Sequence, residues 1–187
     1  MRLVLAAAMA AVLCTSAKAQ VGVDEFQQFC MATRADRALA LAAADKAGWM
    51  PIPKAMMDKF PAGEFKDPDA RMRSGKDAIL FLIVGHGKPM AMPGEDLQIC
   101  GVGAAPPSAD GFNPAAAEIS SVEKFGDSGN GLFFWREEAG KHIRLAVTDV
   151  KAAVEVHNFN VIVTHNTEKI AMIMFATQSQ TLVKASP

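Results

Sequence analysis

Cys30 and Cys100 constrain this chain more than any other pair of residues, because they are the cysteines left once an N-terminal leader is set aside. Arg2 supplies a positive start, Leu3 to Leu13 form an unbroken apolar run, and Ala17-Lys18-Ala19 before Gln20 gives the small-x-small pattern of a signal peptidase site. A helix of that run is only about 16 Å long, roughly half a bilayer core, so residues 1–19 read as a cleaved export signal. No later run approaches ~20 apolar residues, and no membrane span is expected after cleavage. The third cysteine, Cys14, follows Leu13 instead of the small residue that a lipid-modified cysteine needs, so it leaves with the leader. The expected location is the periplasm or the medium, where paired thiols oxidise. A Cys30–Cys100 disulfide across so long a loop removes on the order of 4 kcal/mol of unfolded-chain freedom. A redox-active pair needs Cys-x-x-Cys spacing or a cationic neighbour in sequence, and this pair has neither.

Residues 20–187 then fit a single domain. Hydrophobic residues make up 50% and charged residues 21% of the chain, enough to bury a core and too apolar for disorder. Loss of Arg2 and Lys18 with the leader leaves 17 basic against 20 acidic side chains, and a net charge of −3 offers nothing to attract nucleic acid.

Hydrophobic periodicity predicts an α+β fold: an antiparallel sheet of about six strands with helices packed on one face and one disulfide. Asp24 starts a short helix carrying Phe26, Phe29 and Cys30, and Thr33 with Asp36 resembles a capping box for a second helix that runs to Ala47 and stops at Gly48. Pro53 opens a short helix through Phe60, and residues 61–76 read as loop. Strands are expected at 78–84, 97–102, 131–136, 143–147, 160–164 and 170–177. Asn113-Pro114 starts one further helix, and the stripe Val150, Ala153, Val154, His157 marks another. If Cys30 bonds Cys100, the first helix lies against the sheet.

Among chemistry-bearing residues, His86, Met90 and Met92 form a His-x-x-x-Met-x-Met cluster on a long loop, and imidazole with two thioethers suits Cu(I). Methionine is also a common gap filler, which sets the opposing reading of loop methionines covering a sheet edge. Gly126-Asp127-Ser128-Gly129 resembles the nucleophile segment of chymotrypsin-like serine proteases, with His86 and Asp96 or Asp110 preceding it in that family's order. The resemblance implies a hydrolase with a His-based site, but it covers four residues and departs from the family at the surroundings of His86 and at Asn130. A chain that opens with helices also differs from that family's double β-barrel, and the opposing reading is a turn. Gly85-x-Gly87-Lys88 lacks a P-loop's spacing and is followed by Pro89. His142, His157 and His165, with Asp149 or Glu155, show no zinc spacing, and Asp67, Asp69, Glu137 and Glu138 stand in turn-like contexts. Leu132-Phe133-Phe134-Trp135 places Leu132 and Phe134 on one face of a strand and Phe133 and Trp135 on the other, so both faces need cover or one is a contact surface. The functional expectation is an exported, non-enzymatic binding or interaction domain for a protein or small-molecule ligand, with no cofactor. A Cu(I) protein using the His86 loop is the first alternative and a His-based hydrolase the second.

Overall fold

Apolar alternation in β3, Ile79–Gly87, puts Leu80, Leu82 and Val84 on one side and Phe81 and Ile83 on the other, and both sides are buried. A strand like this must be central, and a computed structural model describing residues 21–57, 65–87, 96–126 and 129–178 places it so. The other strands are β1, Met50–Pro51, β2, Phe65–Ser74, β4, Leu97–Ala105, β5, Leu132–Glu138, β6, Lys141–Arg144, β7, Asn160–Asn166, and β8, Ala171–Thr177. They form one antiparallel sheet of eight strands in the order β1-β2-β3-β4-β8-β7-β5-β6. The signal expected at 1–19 lies outside the described residues.

Two strands exceed the sequence expectation of about six, and both come from segments read as non-strand. β2 occupies part of the 61–76 stretch read as loop. Its charges obscured a two-residue period in which Ala70 and Met72 face one way while Arg71 and Arg73 face the other. Those arginines bind Asp45 and Glu25 on the N-terminal helices, which turns a charged stretch into a strand locked to the layer above it. Asp67 takes a positive φ of 48°, and the pairing with β3 slips between Lys66 and Asp69, a bulge that also carries Pro68.

One face of the sheet is covered by α1, Val23–Phe26, the π-helical turn Gln27–Met31, α2, Arg37–Lys46, and α4, Asn113–Ser120. The cap of α2 is Asp36, whose carboxylate accepts the Leu39 N–H at 2.9 Å; Thr33, expected as the cap, instead donates its hydroxyl back to the Phe29 carbonyl. Gly48 takes φ 79° just past the helix, as its position predicts. Arg34 and Ala35 both adopt left-handed angles, and the chain turns sharply between Cys30 and α2. Under these helices lie Phe29, Leu82, Val102, Phe133, Trp135, Ile162, Ile173 and Phe175, all fully buried or nearly so. Trp135 stacks on Phe175 at 5.8 Å between ring centroids, and Phe29 meets Trp49 edge-on at 5.3 Å. Full burial of such side chains contributes ~1.5–3 kcal/mol each. The Cys30–Cys100 disulfide is present, with Cα atoms 5.2 Å apart, and it fastens the π-helical turn to the centre of β4.

Helices do not all pack on one face. α5, Val147–Glu155, crosses to the opposite side, where Ala153, Val150 and Val154 join Phe134, Phe159, Val161 and Ala176. The reason lies in β5, whose Phe134 needs cover on the face away from Phe133 and Trp135. Gln178 ties the end of β8 to this helix by donating to the Val154 carbonyl at 2.7 Å. The short α3, Lys54–Met57, begins just after Pro53, its expected continuation to Phe60 lies outside the described residues, and Met57 packs beside Ile52 and Ala70 on the same side as α5.

Candidate functional site

The face shared by α3 and α5 differs chemically from the helical one. Registers across β1, β2, β3, β4, β8 and β7 line up Met50, Met72, Phe81, Gly103, Met172 and His165 as successive partners. The adjacent row, from β2 to β5, is Ala70, Ile83, Gly101, Met174, Val163 and Leu132. Strand order places Gly101, Gly103, Met172 and Met174 between the two flanking helices, on β4 and β8. The two glycines are required by their neighbours: a Cβ on Gly103 would lie 2.0 Å from the Phe81 ring, and one on Gly101 would lie 2.7 Å from Met174 Cγ. The ring and the thioether chain therefore lie flat across the strand. On the side of β2, β3, β4 and β8 that carries these rows, the side chains of Phe65, Ala70, Met72, Ile79, Phe81, Ile83, Leu97, Ile99, Met172, Met174 and Ala176 bear no charge.

Among the described residues, methionine is concentrated on this side. Met50, Met56, Met57, Met72, Met172 and Met174 lie on it or on the short helix flanking it, whereas Met31 packs on the other. Met172 is buried, Met57, Met72 and Met174 are half-buried, and Met50 and Met56 are 59% and 45% exposed. Ile79, 47% exposed, extends the apolar surface at the same corner.

Residues singled out by sequence are dispersed over this frame. His86 sits near the end of β3 on the helical face, paired with Lys66 on one side and Gln98 on the other. Met90 and Met92 lie outside the described residues, so the three-ligand copper cluster has one described member. Asp127 and Ser128 also lie outside them. Their neighbours are fastened by Asn113, which donates to the Gly129 carbonyl at 2.9 Å, and by the Gly131 N–H, which donates to Thr164 Oγ1 at 2.7 Å. His86 is three strands across and four residues along from Thr164, on the order of 20 Å by ordinary strand spacing.

His142 donates from Nδ1 to the Ser120 carbonyl at 2.7 Å and lies 5.1 Å from the Trp135 ring, so it closes the C-terminus of α4. His157 accepts from Gln178 at 3.4 Å, and His165 is exposed at the end of β7. Of the carboxylates singled out by sequence, Asp69 pairs with Arg37, Asp96 with Lys66, Glu137 with Arg34, Glu138 with Arg136 and Glu155 with Lys151, while Asp149 accepts from Thr148 Oγ1 at 3.2 Å. Asp45 receives both the Nε and Nη2 of Arg71, at 2.6 and 3.3 Å, and this hydrogen bonding holds its carboxyl below the usual carboxylate range. Among the described residues no three of His, Cys, Asp and Glu converge as metal ligands. No described helix is long and apolar enough to cross a membrane.

Local sequence does not reveal the methionine face, because its members come from three distant stretches, residues 50–57, Met72 and residues 172–174. The Ala171-Met172-Ile173-Met174-Phe175 alternation was the one legible signal, since a two-residue period puts both thioethers on one side. No protein-family model, curated protein or solved structure matches the chain.

Proposed function

We propose that this chain is an exported binding module that holds the hydrocarbon part of an amphiphilic ligand against the methionine face. The observation that carries this reading is the half-exposed set Met57, Met72, Met174 and Val163 on a side of the sheet whose central strands bear no charge. A ligand part that lies there loses water without gaining a hydrogen-bonding side chain, so it is apolar. Methionine is unbranched and polarizable, and such surfaces re-pack around ligands of variable shape, as a flexible acyl chain requires. The uncharged floor contrasts with β2's opposite side, where Lys66, Asp69, Arg71 and Arg73 are all spent in ion pairs. Export is supported by Arg2, the Leu3 to Leu13 run and Ala17-Lys18-Ala19.

Binding is tested with a fluorescent undecanoyl probe displaced by dodecanoate. Saturable displacement is expected, with affinity at least tenfold weaker in the Met72→Gln, Val163→Gln double variant, whose circular dichroism stays that of the parent. An unsaturable signal, or unchanged affinity in that variant, overturns the reading. A mature N-terminus at Gln20 in protein recovered from the cell envelope checks the export step.

A further inference from the structure

We propose that Met50, Met57 and Met72 form a site for a soft monovalent cation, Cu(I) or Ag(I), at the β1–β2 edge of the sheet. Met50 and Met72 are direct partners in the antiparallel register. Side chains so placed share a face with Cβ atoms about 5 Å apart. Met57 and Met72 pack against one buried group that includes Ile52, Ala70 and Phe81, and Ile52 continues the edge by donating its N–H to the Ala70 carbonyl at 3.2 Å. Register thus brings two thioethers, each with three rotatable bonds, to one position of the edge, and Met57 packs against the same buried group.

Access and selectivity both follow from burial. Met50 stands 59% exposed at the mouth, so an ion arrives without opening the core, while Ile52, Ala70 and Phe81 form an apolar wall behind. On this side of β2, Ala70, Met72 and Ser74 include no carboxylate and no imidazole. Thioether ligands alone select a soft ion over Zn²⁺, Mg²⁺ or Ca²⁺. The nearby arginines, Arg71 and Arg73, face the other side and are neutralised by Asp45 and Glu25, so they do not repel the cation across the strand. This site is separate from His86, which pairs with Lys66 six residues along β2 and on the opposite face, on the order of 20 Å away.

The inference stands independently of the acyl-chain reading, because it is read by ion binding alone, and Met→Leu substitution tests it directly: leucine keeps the apolar area and deletes the sulfur. The experiment titrates Ag(I), and Cu(I) under ascorbate, into the full chain carrying Cys14→Ser, with Cys30 and Cys100 left as the disulfide so that no thiol competes. One ion per chain is expected in native mass spectrometry. The Met50→Leu, Met72→Leu variant should bind at least tenfold more weakly, while its circular dichroism and melting temperature stay those of the parent. A His86→Ala, Met90→Leu, Met92→Leu variant should retain the ion. Absence of binding, binding unchanged in the first variant, or binding abolished in the second overturns the site.

Discussion

The two faces of one sheet have been solved by different chemistry. Beneath the N-terminal helices the side chains are branched or aromatic, closely stacked and pinned by the Cys30–Cys100 bond. Across the strand, the same backbone carries methionines and glycines, with half-exposed apolar chains between two flanking helices. Branched and aromatic chains have few rotamers and specify one packing; methionine fills irregular space and repacks at small cost. The difference shows that stability and adaptability are divided here by side-chain parity along each strand, not by region of sequence.

That division is probed most directly by substituting neighbours on β8. Phe175, stacked on Trp135, faces the helices, and Phe175→Ala should cost ~3–5 kcal/mol in urea unfolding. Its neighbour Met174 faces the other way, and Met174→Leu should cost less than ~1.5 kcal/mol. Equal losses at the two positions would remove the contrast. Gly103→Val is expected to fall between them, at ~1–3 kcal/mol, because the new Cβ displaces the Phe81 ring from the strand. If the parent stability is retained in Gly103→Val, the ring does not lie where its close approach places it.

The smallest effect sharpens the helical side. Arg71 holds Asp45 ionised below the usual carboxylate range, so this pair stabilises the fold above the unfolded carboxylate pKa and the contribution fades as pH falls through the folded pKa. Asp45→Asn should flatten the acid limb of the stability profile below about pH 4 and leave its neutral region shifted by no more than a surface pair is worth. An unchanged acid limb would deny Asp45 that role.

Much of this architecture was legible where one interaction dominated. The disulfide followed from the cysteine positions, Gly48 from helix-end geometry, and the split of Phe133 and Trp135 from Phe134 by alternation. β2 was not, because Lys66, Asp67, Asp69, Arg71 and Arg73 look like solvated loop until Asp45, Glu25 and Asp96 are brought to meet them. The side taken by α5 was hidden as well: its stripe of Val150, Ala153 and Val154 predicts a buried helical face but not which surface of the sheet receives it. The candidate site was least legible. Met50 and Met72 become partners only through the register of β1 on β2, a long-range property that local periodicity does not encode.

The bulge at Asp67 and Pro68 has a consequence for how copies of this chain behave when crowded. A neighbouring molecule that tried to lengthen the sheet along β2 would find a missing amide donor at the proline and a kinked rim at the residue before it. Strand addition from one molecule to the next is disfavoured at that point of the rim.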